Sequence, residues 1–203
     1  MSATKPRVYI VDDDAAVRDS LVWLLGAEGF TTKPFACAKD FLKNAEVRTG
    51  ECALFDVRMP ETGGLELLRK TVKRHPQLPV IMISGHGDIQ TAVKSIKHGA
   101  WDFIEKPFDD RVIIKAVRSA IAEFVDGRHS TAAIQKFKSS ISGLTRREYE
   151  VYQLVVAGMT SPEIAKHLCI STRTVSAHRA SIKSKTGITS VAQLIRLSVQ
   201  INN

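Results

Sequence analysis

Cysteine is too scarce and too scattered in this chain to build a framework. Cys37, Cys52 and Cys169 are the only three in 203 residues and share no CxxC spacing, which argues against a disulfide scaffold and a zinc cluster. They are expected to be inert, mostly buried thiols. Long apolar runs are also missing: none nears the roughly 18 residues that a membrane-spanning helix needs. The opening "MSATKPRVYIV" lacks the apolar segment of a secretory signal, so the chain is expected to be cytoplasmic, with no membrane partner.

Acid is short in one region only. Residues 126–203 hold 11 Lys and Arg against 4 Asp and Glu, whereas residues 1–125 hold 18 against 17. Nearly all of the net charge of +8 therefore sits in the tail. Charge concentrated in this way points to a polyanionic partner, double-stranded DNA first. A solvated basic surface is the plainer alternative.

What the chain does have is alternation. The runs "VYIV" (8–11), "TTKPFA" (31–36), "CALF" (52–55), "VIMIS" (80–84) and "DFIE" (102–105) read as strands by their β-branched and apolar content. Helical patterns lie between them. Val17, Leu21, Leu24, Leu25 and Glu28 share a face, with Gly29 placed to end that helix; Leu65, Leu68 and Val72 repeat the logic. Ile89, Val93 and Ile96, then Ile113, Val117, Ile121 and Phe124, do so again. Trp23 and Trp101 have no aromatic partners at stacking spacing and are expected to pack.

Five strands alternating with five helices imply an α/β domain with a parallel sheet covered on both faces. Residues 126–140, "DGRHSTAAIQKFKSS", break the pattern and read as a linker, a helical extension of 110–124 being the alternative. No strand signal survives beyond about Ile141, so residues 141–203 form a small all-α domain. The plan is thus 1–125, linker 126–140, and 141–203.

Functional residues of an open α/β sheet follow its strands, because ligands bind outside the strands' carboxyl ends where the strand order reverses. Asp12 and Asp13 close the first strand, Asp56 the third, Ser84 the fourth and Lys106 the fifth. If the first and third strands are neighbours, three carboxylates converge, and a hard cation such as Mg2+ is the natural way to hold them. Asp14 is better placed as the cap of the following helix. Lys106 and Ser84 then make a site for a further anion. An aspartate there can act as nucleophile toward a phosphoryl donor, and the cation, ammonium and hydroxyl would bond the phosphoryl oxygens. Asp56 stands alone after its strand and is a better nucleophile than Asp13. Gly63 and Gly64 let the loop turn tightly. His86, in "SGHGD", reads as a solvated loop residue.

The basic tail divides into four helices. Thr145 with Glu148 fits a capping box and Gly158 ends the first helix. Ser161 and Pro162 start the second. Ser171 or Thr172 caps the third, which runs to about Thr186, and Ser190 caps the fourth. Two helices joined by a short turn, the second basic, suggest a helix-turn-helix. On that second helix Val175, Ile182 and Thr186 face inward, while Arg173, Ser176, Ala177, Ala180 and Ser184 lie on the opposite arc. His178, Arg179 and Lys183 reach sideways to phosphates. Candidate DNA contacts are therefore Arg173, Thr174, Ser176, Ala177, His178, Arg179, Ala180 and Lys183, with Arg173 the one strong hydrogen-bonder to base edges.

The set "VDD" (11–13), "FDVRMP…GG" (55–64), "ISG" (83–85) and "KPF" (106–108) resembles the receiver domain of two-component response regulators, over roughly residues 6–125. The tail motifs "LTRRE", "SPEIAKHLCIS", "RTVSAHR" and "KTG" resemble the LuxR-type helix-turn-helix over roughly 143–200. Together they indicate the NarL/FixJ subfamily. The resemblance implies a flavodoxin-like (βα)5 fold followed by a four-helix DNA-binding domain. It implies that Asp56 accepts a phosphoryl group from a sensor histidine kinase, and that Asp13, Asp56 and the backbone carbonyl of Arg58 ligate Mg2+, with Asp12 acting through water. Ser84 and Phe103 would form the switch pair, and the Lys106–Pro107 bond is often cis in such domains. Phosphorylation is then expected to favour a homodimer on DNA, with RNA polymerase as a further partner and no enzymatic turnover beyond the chain's own chemistry at Asp56. Two rivals compete with this reading: a phosphohydrolase with an aspartyl nucleophile, and an interaction protein whose tail binds protein. Two positions depart from the common pattern. Gly63 replaces an acid or amide common before the glycine, and Ser161–Pro162 stands where Asn–Lys is common.

Overall fold

A computed structural model describes residues 5–85, 89–125, 131–188 and 190–202. His86, with the rest of 86–88, and the first linker residues, 126–130, lie outside the described residues. The chain divides into two compact units, residues 1–87 with 98–128 and residues 88–97 with 129–203.

In order, the elements are β1 (Arg7–Val11), α1 (Ala15–Ala27), β2 (Thr31–Phe35), α2 (Ala38–Asn44), β3 (Cys52–Asp56), α3 (Gly64–Arg74), β4 (Val80–Ser84), α4 (Ile89–Lys97), β5 (Asp102–Glu105) and α5 (Asp110–Val125). They are followed by α6 (Thr131–Ser142), α7 (Arg146–Ala157), α8 (Ser161–Leu168), α9 (Thr172–Thr186) and α10 (Val191–Asn202). All five strands are parallel in the order β2-β1-β3-β4-β5. The chain leaves β1 toward β2 and returns on its other side as β3, so the order reverses between β1 and β3.

Burial follows from that order. Every residue of the central strands β3 and β4 is buried, as is β1 after Arg7, because helices cover both faces. The edge strands are more open, and β2 tolerates Pro34 for that reason. Side chains alternate across the sheet. Val8, Ile10, Leu54, Ile81 and Ile83 join Leu21, Leu24 and Leu25 of α1 and Ile113, Val117 and Ala120 of α5 in one core. On the opposite face Phe41 of α2 meets Tyr9, Phe35 and Phe55 edge to face, with ring centroids 5.0–5.6 Å apart.

Three expectations need correction. The buried stripe of α3 is Gly64, Leu67, Leu68 and Thr71, so Leu65 and Val72 are only half-buried. Its i, i+3, i+4, i+7 spacing begins at Gly64, which the pattern reading treated as a turn residue. Trp23 is 75% exposed, since Leu21, Leu24 and Leu25 turn α1 so that position 23 faces outward. Trp101 does pack, edge to face against Phe124. Of the thiols only Cys52 is buried; Cys37 is half-buried and Cys169 exposed, because Cys169 ends α8 in a left-handed turn.

In the second unit a core forms from Phe137, Val151, Tyr152, Val155, Ile164, Val175, Ile182, Ile188 and Leu194. Phe137 belongs to α6, so residues 131–142 form a separate helix packed on this core. Both halves of the Thr145–Glu148 capping box are present. The second helix starts at Ser161, with Pro162 in its first turn, and its cap is the preceding Thr160, in a second capping box with Glu163. Ser171 caps α9, and Gly187 ends it at φ 70°.

Candidate functional site

The register of β1 and β3 sets the first site. Val11 pairs with Phe55, so the next residues, Asp12 and Asp56, leave neighbouring strands at the reversal point. Both carboxylates are buried, at 2% and 6% exposure, and such a pair needs a countercharge. Lys106 supplies it. Its Nζ donates to Asp12 Oδ2 and to Asp56 Oδ1, each at 2.7 Å. Lys106 reaches them from the end of β5, where its backbone N–H donates to the Ser84 carbonyl at 2.8 Å.

Backbone donors complete the frame. Asp56 Oδ2 accepts from the Arg58 amide at 2.6 Å, and Asp12 Oδ1 from the Asp14 amide at 2.9 Å. Asp14 in turn caps α1, its Oδ1 accepting from Ala16. Burial pushes the Asp12 carboxyl above its ordinary range, and Lys106 offsets part of that. Burial alone would lower the Lys106 ammonium, but the two carboxylates outweigh it and the group ends above its ordinary value. The lysine thus stays charged between its partners.

Asp13, unlike Asp12, is exposed. The three carboxylates of the expected metal site are therefore unequal: Asp13 lies at the open rim, and Asp12 and Asp56 are already spanned by an ammonium. Among the described residues no ready-made cluster of three ligating side chains occurs. The donor chemistry nonetheless suits a hard cation. The site offers only carboxylate and carbonyl oxygens at the ends of β1 and β3, and Mg2+ is commonly held by one or two carboxylates with water completing its shell.

Ser84 is buried at the end of β4, and Phe103 is half-buried on β5, in register with Met82. The Lys106–Pro107 peptide is cis. Arg18 and the close approach of Gly64 to β3 add to the site. Arg18 Nη1 donates to the Asp12 carbonyl at 2.7 Å, holding the strand end from the first turns of α1. Gly64 packs so close to β3 that an added Cβ would lie 1.9 Å from the Asp56 carbonyl oxygen. The first was legible only once the fold brought α1 over β1.

The second candidate site is α9. Val175 and Ile182 are buried, whereas Arg173, Thr174, Ser176, Ala177, Ala180 and Lys183 are exposed and His178 and Arg179 half-buried. Thr174 is occupied locally: its hydroxyl lies 2.8 Å from Ser171 Oγ at the cap. Arg179 points back into the fold, its Nη1 donating to Ser161 Oγ at 2.9 Å. Near the other end of the helix, the buried Glu148 carboxylate accepts from Ser181 Oγ at 2.5 Å and Lys185 Nζ at 2.7 Å. Lys185, Ser181 and the Thr145 amide draw the Glu148 carboxyl down to about 2. These links hold α9 against α7 and α8 and were invisible in the sequence, since the partners lie 18 to 37 residues apart.

Comparisons with known proteins identify both domains. Residues 8–118 match the response regulator receiver domain family, and residues 142–198 match the bacterial regulatory proteins of the luxR family. The chain is 36% identical over 197 residues to the transcriptional regulatory protein FixJ of Bradyrhizobium diazoefficiens, spanning 97% of this chain and 96% of that one. It is 41% identical over 202 residues to the transcriptional regulatory protein TdiR of Thauera aromatica, spanning 96% and 88%. The crystal structure of full-length FixJ from B. japonicum covers 99% of this chain and 100% of its own, at 36% identity and a TM-score of 0.59. A receiver sheet with its acid pocket, joined to a LuxR-type helix-turn-helix, places the chain in the NarL/FixJ type of two-component response regulators, a family of transcription regulators.

Proposed function

We propose that Asp56 is phosphorylated by a sensor histidine kinase and that this event controls dimerisation and sequence-specific binding of DNA by α9. The observation that carries the reading is the Lys106 ammonium held between Asp12 and Asp56 at the sheet's reversal point. An Asp56 oxygen attacks the phosphorus of a phosphohistidine, the phosphorus–nitrogen bond breaks, and the imidazole keeps the electron pair. Lys106 then exchanges Asp56 Oδ1 for a phosphoryl oxygen, and the Ser84 hydroxyl bonds a second. Phe103 turns inward as Ser84 moves. Asp13, Asp56 and the Arg58 carbonyl would hold Mg2+, with Asp12 bound through water; the ion supplies charge neutralisation to the transferring group. Catalysis is confined to the chain's own phosphorylation and dephosphorylation, and the protein works in the cytoplasm, where it meets DNA and RNA polymerase.

The test compares wild type with Asp56→Asn. Acetyl phosphate and Mg2+ should add one phosphoryl group to the wild type and none to the variant, read by mass spectrometry. Beryllofluoride, a phosphoryl mimic, should tighten DNA binding and raise the oligomeric state of the wild type alone. Equal DNA binding and equal oligomeric state in both proteins overturn the control reading.

A further inference from the structure

α9 carries five side chains able to bear positive charge, Arg173, His178, Arg179, Lys183 and Lys185, and the fold does not leave them equivalent. Arg179 is bonded to Ser161 of α8, and Lys185 to the buried Glu148 of α7. Both cations are spent on holding the helix. His178 is half-buried beside the core stripe. Lys183 is exposed but lies on the flank, about 80° round the helix from Arg173 at roughly 100° per residue, where a side chain meets backbone phosphate.

Arg173 differs from all of these. It is exposed, it sits in the first turn of α9, and no side chain among the described residues engages it. The N-terminal residues of a recognition helix are the ones that meet base edges. Around it, at i+4 and i+7, are Ala177 and Ala180, both exposed, with Ser184 completing the same strip. Four positions spaced 173, 177, 180 and 184 lie within a narrow arc. Arginine is matched to guanine by its fork, which meets O6 and N7 together, and a small apolar side chain is matched to the thymine methyl.

We propose that each α9 reads one guanine through Arg173, flanked by thymines whose methyl groups lie against Ala177 and Ala180. This rests on the proposed sequence-specific DNA binding and names its target. Successive turns of the helix advance about 5.4 Å, against 3.4 Å per base along one strand. The guanine and the thymines therefore fall within a few base steps of each other. Ser176 and Ser184 can bond either base type, so they add little preference. The half-site predicted in this way is short, guanine-anchored and thymine-rich, with most of the affinity left to phosphates.

Full-length protein, with Mg2+ and beryllofluoride, should be used to select binders from a pool of randomised duplex DNA, as wild type, Arg173→Ala and Arg173→Lys. The wild type should return one dominant guanine per half-site with thymines beside it. Arg173→Ala should lose that guanine preference, binding the selected site roughly 5- to 150-fold less tightly while being nearly indifferent to replacing the guanine. Arg173→Lys should keep a weakened preference. Deoxyuridine in place of the flanking thymidines should weaken wild-type binding, since only the methyl is removed. If Arg173→Ala selects the same motif at uniformly lower affinity, Arg173 is a phosphate contact and the inference is overturned. Indifference to deoxyuridine overturns the thymine assignment. If the wild type itself selects no motif, it is the sequence-specific function that fails.

Discussion

The Glu148 carboxylate accepts a hydrogen bond from Lys185 Nζ at 2.7 Å, tying the first turn of α7 to the last turn of α9. The same carboxylate also closes the capping box of α7 and accepts from Ser181. A single acid therefore caps α7 and ties α9 against it.

This arrangement has a pH signature. The Glu148 carboxyl is lowered from its ordinary 4.5 to about 2, first by Lys185 and then by Ser181 and the Thr145 amide. A depressed folded-state value stabilises the fold above the unfolded value, and the benefit fades as pH falls through the folded value. The wild type should thus exceed Glu148→Gln in thermal stability at pH 5 and above, and the gap should close between about pH 4.5 and 2. Both tryptophans, Trp23 and Trp101, lie in the first unit, so melting seen by far-ultraviolet circular dichroism but not by tryptophan fluorescence isolates the second. A gap independent of pH would mean that the charge on Glu148 plays no part.

How far the sequence carried the fold varies with the range of the interaction. The β-branched runs located all five strands to within a residue at each end, because buried parallel strands read as continuous apolar stretches. Residues at strand ends were equally legible, and the register placed Asp12 and Asp56 side by side as expected. Helix faces were less secure. In α3 Gly64 is the first residue of the buried stripe, but a glycine carries no hydrophobic signal and the stripe was assigned one position off. The Thr160–Glu163 box was overlooked because Ser161–Pro162 offers a competing start signal one residue later. Contacts such as Glu148 with Lys185, or Arg179 with Ser161, have no periodicity at all and depend on how three helices cross.

Lys106 offers a second test. Replacing it with methionine leaves the Asp12 and Asp56 carboxylates buried and unpaired, at 3% and 8% side-chain exposure. Removing one partner of a buried ion pair costs about 3 kcal/mol, less whatever solvent can recover around a lysine side chain that is 21% exposed. Burial already holds Asp12 above its ordinary range, so protonating it favours the folded form. The deficit of Lys106→Met in urea unfolding, followed by tryptophan fluorescence, should accordingly be larger at pH 7 than at pH 5. A deficit of the same size at both values would assign the loss to packing of the lysine stem rather than to charge.

Gly63 and Gly64 are adjacent, yet they should respond oppositely to alanine. At Gly64 the new Cβ would meet the Asp56 carbonyl oxygen at 1.9 Å and Val57 Cα at 2.9 Å. Those atoms are backbone and cannot swing aside, so either α3 lifts from the sheet or the end of β3 shifts. The Gly64 amide also donates to the Val57 carbonyl at 3.0 Å, and Val57 donates to the Ile83 carbonyl at 2.9 Å. A displacement would therefore reach the residues that hold Asp56 in place. At Gly63 the nearest atom is the Val57 carbonyl oxygen at 3.8 Å, and the backbone has an ordinary extended conformation at φ −65°. Gly64→Ala should cost about 2 kcal/mol or more in tryptophan-monitored unfolding and abolish labelling by acetyl phosphate. Gly63→Ala should stay within about 0.5 kcal/mol of wild type and remain labelled. If Gly64→Ala folds normally but does not label, the close approach serves the pocket rather than the fold; if it labels as wild type does, Asp56 tolerates movement of the strand end and the framing of its carboxylate by Lys106 and the Arg58 amide suffices.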